Sequence, residues 1–215
     1  MSAATTSATP QVTTLPMTRR EFMYYIWGAS LALFAAESVG AIVWFLIPRF
    51  KEGEFGGTFT IDLSGLPPVD SGPLEFPDGR FWLVNLGAET LSDPRQPADY
   101  VAQEGVRALY KVCVHLGCLY KWVPTNNRFE CPCHGSKYLV NGVRIDGPAR
   151  RNLDVFVVQA VDANGAVLAE TSRGDANSNP EAGAPIMLPA GTAALRVNTG
   201  QRIQGAVNSK PGGGR

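Results

Sequence analysis

The sequence has no excess of charge of either sign. Its 19 Lys and Arg residues balance its 19 Asp and Glu residues, so the formal net charge at pH 7 is zero. Proteins that bind DNA or RNA usually carry a basic excess on one face, so nucleic acid is excluded as the main partner. Histidine and cysteine are also scarce, at 2 and 4 residues in 215, and all six lie between positions 113 and 134. Such clustering is typical of a metal site rather than of scattered structural residues.

Glycine and proline, by contrast, are abundant. The 23 Gly and 16 Pro residues predict many turns and favour β structure over a helical bundle. Asn164-Gly165 lies between two apolar stretches and predicts a tight hairpin. We expect surface loops at 87–105, with room for a short helix, and at 171–189. The candidate strands are Thr58–Leu63, Phe81–Leu86, Val106–Val112, Arg128–Glu130, Asp154–Val161, Val167–Glu170 and Leu195–Ile203.

One long apolar run stands near the N-terminus, from Phe22 to Ile47. Its 26 residues would form a helix of about 39 Å, enough to cross a hydrocarbon core of about 30 Å with some tilt. The run is longer than the apolar part of a cleaved signal peptide, so it predicts an uncleaved membrane anchor. Pro48 is expected to end the helix.

Arg19 and Arg20 directly precede this run. Paired arginines ahead of an apolar segment are typical of twin-arginine export, which moves folded proteins across a membrane. The alternative is a pair of charges that marks the cytoplasmic end of the helix. The predicted organisation is a disordered tail at 1–17, the twin-arginine motif and anchor at 18–47, a flexible hinge at 48–57, a head domain at 58–207 and a loose tail at 208–215.

Two short motifs hold all of the cysteines and histidines. The first runs from Cys113 to Cys118 as C-V-H-L-G-C, and the second from Cys131 to Tyr138 as C-P-C-H-G-S-K-Y. In spacing and residue type these motifs resemble those of the Rieske iron–sulfur family. The resemblance implies an all-β fold, with a Rieske antiparallel β-sandwich head, a small cluster-binding subdomain at about 111–150 and one N-terminal transmembrane helix.

The resemblance also implies one [2Fe–2S] cluster as cofactor. Cys113 and Cys131 would bind one iron through thiolates, and His115 and His134 would bind the other through imidazoles. Neutral imidazoles in place of two thiolates make the cluster less negative, so it accepts an electron more readily. The expected reduction potential is about −150 to +300 mV, against about −400 mV for an all-cysteine plant-type cluster.

Other residues of the motifs have roles in the same family. Cys118 and Cys133 would form a disulfide, which implies an oxidising compartment and stabilises a closed loop of about 15 residues by about 3 kcal/mol. Ser136 would donate to a bridging sulfide and Tyr138 to a cysteine ligand sulfur, and both bonds would raise the potential. The alternative is that Ser136 only caps a turn and Tyr138 only packs.

A third segment, Gly147-Pro148-Ala149-Arg150, resembles the family's Gly-Pro-Ala-Pro loop that covers the cluster. Arg150 stands where the family usually has its second proline, and this departure bears on the rigidity and the quinone-facing surface of the loop. Leu116, in the first motif, would likewise shield the cluster from water.

The resemblance sets the expected function as well. The chain would be the Rieske subunit of a quinol-oxidising cytochrome bc complex, an oxidoreductase subunit that is active only within that complex. His115 or His134 would accept a hydrogen bond and then a proton from quinol, the cluster would take one electron, and the head would swing on its hinge to pass the electron to a c-type cytochrome. The expected setting is a bacterial inner membrane beside a cytochrome b-type subunit, with a single span and a periplasmic head.

Two other assignments stay open. The small electron-transfer subunit of a periplasmic molybdenum oxidase, such as arsenite oxidase, has similar motifs and a twin-arginine start but does not contact quinol; the long apolar helix favours the cytochrome complex. A structural zinc site is the other assignment. Zinc sites usually space their ligands as C-x2-C or H-x3-H, which the C-x-H spacing at Cys113 does not match.

Overall fold

A computed structural model describes residues 16–47, 57–97 and 100–207. Most of the predicted N-terminal tail (1–17), all of the predicted hinge (48–57) except Gly57, and the predicted C-terminal tail (208–215) lie outside these residues. The chain divides into two compact units at the bond between Arg49 and Phe50.

The N-terminal unit contains helix α1, Arg19–Leu46. Its 28 residues correspond to a length of about 42 Å, and among the described residues it is the one helix long and apolar enough to cross a membrane. The helix begins three residues before the predicted Phe22 because Thr18 and Glu21 form a capping box. The Thr18 hydroxyl accepts from the Glu21 N–H at 3.3 Å, and the Glu21 carboxylate accepts from the Thr18 N–H at 2.9 Å. These bonds satisfy two of the N–H groups that every helix start leaves without a partner.

The C-terminal unit is built from antiparallel strands, as predicted. They are β1 (Thr58–Asp62), β2 (Leu74–Phe76), β3 (Phe81–Leu86), β4 (Gly105–Tyr110), β5 (Lys121–Val123), β6 (Arg128–Glu130), β7 (Lys137–Tyr138), β8 (Arg144–Asp146), β9 (Val155–Val161), β10 (Val167–Glu170) and β11 (Ala194–Ile203). The large sheet has the order β1-β11-β9-β4-β3-β2, with β10 also paired to β9. The small sheet has the order β5-β6-β7-β8.

Both faces of the large sheet are covered. Side chains alternate along a strand, and in β3 Phe81 and Leu83 belong to one apolar cluster whereas Trp82 and Val84 belong to another. The second cluster also contains Phe129 of the small sheet. The two sheets therefore share one core, and that core extends to the base of the cysteine motifs.

The small sheet positions the motifs. The first loop (111–120) leads into the start of β5, the second loop (131–136) joins the end of β6 to the start of β7, and the third loop (147–151) leaves the end of β8. Because the four strands are antiparallel and adjacent in sequence order, these three points lie at the same end of the sheet. Segments that are far apart in the chain are thereby brought together.

The strand predictions were right for the long strands and incomplete for the short ones. Phe81–Leu86, Arg128–Glu130 and Val167–Glu170 have the predicted bounds. Three other predicted strands differ by one residue at one end, and the strand predicted at Val106–Val112 begins one residue and ends two residues earlier. Strands β2, β5, β7 and β8 were missed. The hairpin at Asn164-Gly165 is confirmed by the antiparallel pairing of β9 and β10, and Gly165 adopts a φ of 83°.

The two predicted loop regions have more order than their composition indicates. Residues 87–105 include the short helix α2, Ala88–Leu91, whose first N–H groups are bound by the carboxylate of Asp70. In the region 171–189, Ile186 forms a β-bridge with Val106 and joins the core. The fold class predicted for the head, an antiparallel all-β structure with a small cluster-binding subdomain, is confirmed together with the N-terminal apolar helix.

Candidate metal centre

The first and second loops have the same backbone turn. In the first loop the Cys113 N–H donates to the Cys118 carbonyl at 2.7 Å, and the Gly117 N–H donates to the Cys113 carbonyl at 3.0 Å. In the second loop the Cys131 N–H donates to the Ser136 carbonyl at 2.9 Å, and the Gly135 N–H donates to the Cys131 carbonyl at 3.0 Å. The donors and acceptors have the same spacing in both loops. Each turn therefore presents the residues after its first cysteine at the end of the small sheet.

A glycine closes each of these turns. Gly117 has a φ of 83° and Gly135 a φ of 74°. Residues other than glycine rarely adopt this backbone conformation. The requirement for glycine here is conformational, since a Cβ added at either position would meet no atom within 4 Å apart from its chain neighbours.

Two free thiols lie at the base of the turns. Cys113 is 1% exposed and Cys131 is 3% exposed. Burial raises the pKa of the Cys131 thiol, while hydrogen bonds from the N–H groups of Cys133 and His134 act in the opposite direction. Buried thiols with backbone donors around them are suited to hold a metal as thiolates, because the metal and the donors stabilise the negative sulfur.

The two imidazoles face each other at the ends of the loops. The ring centroids of His115 and His134 are 4.8 Å apart, and the rings are nearly perpendicular at 84°. His134 is exposed and His115 is half-buried. The Nδ1 atom of His115 is buried and has no hydrogen-bond partner among the described residues. Leaving such an atom without a partner costs about 1–3 kcal/mol, so this nitrogen is available to a metal.

A disulfide joins the first loop to the second. Cys118 and Cys133 are bonded at 2.06 Å across a separation of 15 residues. The sulfur of Cys131 lies close to this bond, since the three sulfurs of Cys118, Cys131 and Cys133 are all within 4.8 Å of one another. These three residues do not form a three-thiolate metal site, because two of the sulfurs are already bonded to each other.

Two buried hydroxyl groups belong to the second motif, and one of them contacts a free sulfur. The Tyr138 hydroxyl lies 3.2 Å from the Cys113 sulfur. Burial is the main cause that raises the pKa of Tyr138 well above its usual value, so the hydroxyl keeps its proton and donates wherever the Cys113 sulfur is a thiolate. Ser136 is fully buried, and its Oγ accepts from the Ala149 N–H at 3.2 Å. Ser136 thus connects the second loop to the third.

The third loop packs directly against the second. Gly147 has a φ of 90°, and a Cβ atom there would lie 2.5 Å from the Ser136 Cα and 2.7 Å from the Gly135 carbonyl oxygen. Only glycine permits this approach. Beyond it, Pro148 and Arg150 are exposed, as is Leu116 of the first loop, at 70%. The residue after His115 in the first loop and a proline of the third loop thus present apolar groups to the surface.

Comparison with known proteins identifies this arrangement. A family model described as the Rieske [2Fe-2S] domain matches residues 85–157. The cytochrome b6-f complex iron-sulfur subunit 3 of Nostoc sp. (strain PCC 7120) is 31% identical over 152 residues, which cover 68% of this chain and 82% of that protein. The chain belongs to the Rieske iron–sulfur family. The cytochrome b6-f complex iron-sulfur subunit of Synechococcus sp. (strain JA-3-3Ab) is 32% identical to this Rieske protein over 143 residues. The matched residues cover 65% of this chain and 80% of that protein.

Among solved structures, the cyanobacterial plasma membrane Rieske protein of Synechocystis PCC 6803 is 28% identical. It covers 45% of this chain and 84% of its own, with a TM-score of 0.29.

A Rieske protein carries one [2Fe–2S] cluster, and the residues present fit that group. The structure offers two buried free thiols, Cys113 and Cys131, and a buried imidazole nitrogen on His115 that no hydrogen bond satisfies. His134 lies beside His115, on the second loop. This donor set, two sulfurs and two nitrogens, is the mixed set of Rieske centres.

Several residues that shape this Rieske site were missed by sequence reasoning. The Ala149 N–H, which binds Ser136, was not singled out. Neither was Arg144, which is buried in β8 and donates from Nη2 to the Gly147 carbonyl at 3.1 Å. Tyr120 is fully buried, and its hydroxyl donates to the Tyr110 carbonyl at 2.9 Å. The equal spacing of Gly117 and Gly135 after Cys113 and Cys131 was a signal in the sequence that the two turns are alike.

Proposed function

We propose that this Rieske protein is the quinol-oxidising subunit of a membrane cytochrome bc complex. It takes one electron and one proton from quinol and passes the electron to a c-type cytochrome. The observation that carries the proposal is the pair of imidazoles of His115 and His134, which lie 4.8 Å apart at the end of the small sheet with one of them exposed. Support also comes from the relatives, which are iron-sulfur subunits of cytochrome b6-f complexes.

The proposed ligands are the four residues named from the sequence. Cys113 and Cys131 would hold one iron through sulfur, and His115 and His134 would hold the other through nitrogen. When bound, the cluster supplies one-electron redox chemistry at a potential of about −150 to +300 mV, a range in which quinol is a suitable donor. The buried Nδ1 of His115 is the nitrogen proposed to bind iron, because it has no other partner among the described residues. The second nitrogen of that ring, Nε2, then remains for a substrate.

The imidazoles are proposed to receive quinol. A ring nitrogen of His134 or Nε2 of His115 accepts a hydrogen bond from the quinol hydroxyl and then holds its proton. The free nitrogen of a metal-bound imidazole titrates in response to the charge on the metal, so proton uptake is coupled to electron uptake. The exposed apolar groups of Leu116 and Pro148 flank this position, orient an apolar ring and exclude water.

The buried hydroxyls are proposed to set the potential. Tyr138 donates toward the Cys113 sulfur, which stabilises additional negative charge on that sulfur. The proposed role of Ser136, as a donor toward a bridging sulfide, is compatible with its observed bond, because its Oγ accepts from the Ala149 N–H and its own proton is left to donate. Gly147 and Pro148 close the site from the third loop.

The N-terminal unit is proposed to be the anchor of this subunit. Helix α1 has the length and composition of a membrane span, and the paired arginines at its start support export of a folded head by the twin-arginine route. The proposed location is a bacterial inner membrane, with a single span, a periplasmic head and a cytochrome b-type subunit as neighbour. The proposed hinge at 48–57 links anchor and head.

Two measurements test the proposal. Low-temperature electron paramagnetic resonance of the full chain, reduced with ascorbate, should show a signal with an average g value well below that of an all-thiolate cluster. A signal that needs dithionite would contradict a high-potential quinol reaction, and zinc without any signal would contradict the site itself. Purification of the complex from membranes should then recover a haem b protein. Recovery of a molybdenum-containing subunit would instead establish the molybdenum oxidase alternative.

A further inference from the structure

A third sulfur lies next to the disulfide that links the loops. Cys131 is a free thiol, and its Sγ is within 4.8 Å of both Cys118 Sγ and Cys133 Sγ. Thiol–disulfide exchange begins when a thiol within reach of a disulfide loses its proton and the thiolate attacks one of the two sulfurs. The proposed function uses Cys131 as an iron ligand and gives no account of what this sulfur does when no iron is bound.

We propose that in the cluster-free chain Cys131 exchanges with the Cys118–Cys133 disulfide, and that the bound cluster prevents this reaction. The sulfur of Cys131 forms a bond with the sulfur of Cys118. The bond between Cys118 and Cys133 breaks, and Cys133 leaves with the electron pair and takes up the proton that Cys131 gave up. One disulfide and one thiol are present before and after, so the step needs no oxidant or reductant.

Chain connectivity selects Cys118 as the sulfur that is attacked. A bond from Cys131 to Cys133 would close a ring across the single residue Pro132, whose φ is fixed. A bond from Cys131 to Cys118 closes a loop of nearly the same length as the native bond, which spans 15 residues. Since loop entropy changes slowly with length, neither pairing is strongly favoured by the unfolded chain. Cys113, the other free thiol, is not a member of this three-sulfur group.

The exchange constrains the step at which the cluster can be inserted into the protein. A sulfur bonded to iron is not free to attack a disulfide, so a loaded site keeps the Cys118–Cys133 pairing. An empty site in which Cys131 has joined Cys118 retains only Cys113 of the two proposed thiolate ligands. Cluster insertion must therefore precede the exchange. This consequence rests on the proposed ligand role of Cys131, whereas the exchange itself does not.

Peptide mapping of the full chain in detergent tests the exchange. The cluster is removed anaerobically with an iron chelator and no thiol reductant, the protein is incubated, and free thiols are then alkylated under denaturing conditions. Trypsin places Cys113 and Cys118 on one peptide and Cys131 and Cys133 on another, so fragmentation spectra locate the alkyl groups. We expect alkylated Cys133, absent at the start, to grow with time in the cross-linked peptide. Alkylation that stays on Cys113 and Cys131 would overturn the proposal.

Two variants and one further sample sharpen the test. Cys131→Ser removes the attacking sulfur and should keep the Cys118–Cys133 pairing throughout. Cys113→Ser removes the other thiol and should exchange as the unmodified cluster-free chain does; loss of exchange in this variant would contradict the assignment to Cys131. The loaded chain should show no alkylated Cys133. Because the result is read from the peptide map, it is independent of the resonance signal that tests the proposed quinol reaction.

Discussion

The hydroxyl of Tyr138 lies 3.2 Å from the sulfur of Cys113, and both side chains are buried. Burial raises the pKa of Tyr138 far above its usual value, so this hydroxyl keeps its proton and is able to donate to the sulfur. The contact links the second motif to the first through a single hydrogen bond. If Cys113 binds iron as proposed, Tyr138 acts on the charge of a ligand sulfur.

Replacing Tyr138 by Phe should therefore lower the reduction potential. A hydrogen bond of about 1 kcal/mol corresponds to ~40 mV for a one-electron couple, from about 59 mV per tenfold change in the equilibrium constant. The measurement is a redox titration followed by electron paramagnetic resonance. Tyr120→Phe is the matched control, because it removes a buried hydroxyl whose partner is the Tyr110 carbonyl. An equal drop in potential in both variants would show that the effect does not come from the bond to sulfur.

Gly147→Ala should separate the third loop from the second. Its Cβ would lie 2.5 Å from the Ser136 Cα, and the φ of 90° is unfavourable for alanine. We expect the free energy of unfolding to fall by about 2 kcal/mol or more, together with a loss of bound iron. The measurements are denaturant unfolding and iron content per chain.

Gly191→Ala separates the effect of the steric clash from the effect of the positive φ. Gly191 has a φ of 88° but, apart from its chain neighbours, no atom within 4 Å of the added Cβ. This variant should lose only the unfolding free energy that a positive φ costs an alanine, and it should keep its iron. Equal iron loss in both variants would mean that close packing of Gly147 on Ser136 is not what holds the third loop.

Removal of the disulfide should destabilise the head without unfolding its large sheet. The bond between Cys118 and Cys133 closes a loop of 15 residues, which is worth about 3 kcal/mol in the chain-entropy model. The double variant Cys118→Ala/Cys133→Ala is used because replacing only one of the two cysteines would leave the other as a free thiol. Denaturant unfolding should show the loss, and circular dichroism before unfolding should stay close to that of the unmodified protein. A change of less than about 1 kcal/mol would indicate that the turns are held by their backbone bonds alone.

Asp70 predicts a pH dependence of stability. Partial burial would raise the pKa of Asp70, but hydrogen bonds from Thr90, Gly87 and Glu89 outweigh burial and lower it below the usual value. A carboxyl with a lowered folded-state pKa contributes stability above its unfolded pKa, about 3.9, and that contribution is lost as the pH falls through the folded pKa. Asp70→Asn should melt at a lower temperature than the unmodified chain at pH 7, and the gap should narrow below about pH 4.

Melting curves at pH 7 and pH 3 check this prediction. Asp78→Asn is the control, because Asp78 is exposed on a turn. It should melt with the unmodified protein at both pH values. A gap for Asp70→Asn that is the same at both pH values would mean that its charge does not stabilise the start of α2.

Sequence reasoning succeeded where a local pattern decides the structure. The long apolar run predicted α1, and strand β9 and its hairpin with β10 follow from β-branched residues around Asn164-Gly165. The small strands β7 and β8 were missed because they have two and three residues and because Lys137, Arg144 and Asp146 carry charge. Those strands form because they pair with neighbouring strands, and the sequence of one short segment does not indicate which strands it will pair with.

The candidate site shows the same division. The spacing of Cys113, His115, Cys131 and His134 indicated a metal centre, because spacing within a loop is local. The approach of Gly147 to Ser136 is not local, and neither is the bond from the Ala149 N–H. They depend on three loops leaving the same end of the small sheet, which follows only once the strand order is known.

The paired turns of the first and second loops have a consequence for the speed of electron transfer. Backbone bonds hold Cys113 and Cys131 in equivalent positions, and none of those bonds involves a metal. The third loop and the disulfide restrain the same framework from two further sides. A framework fixed by its own contacts has little freedom to relax when the charge inside it changes by one electron. If this framework holds the cluster as proposed, we expect a small nuclear reorganisation energy and electron tunnelling to a partner at a modest driving force.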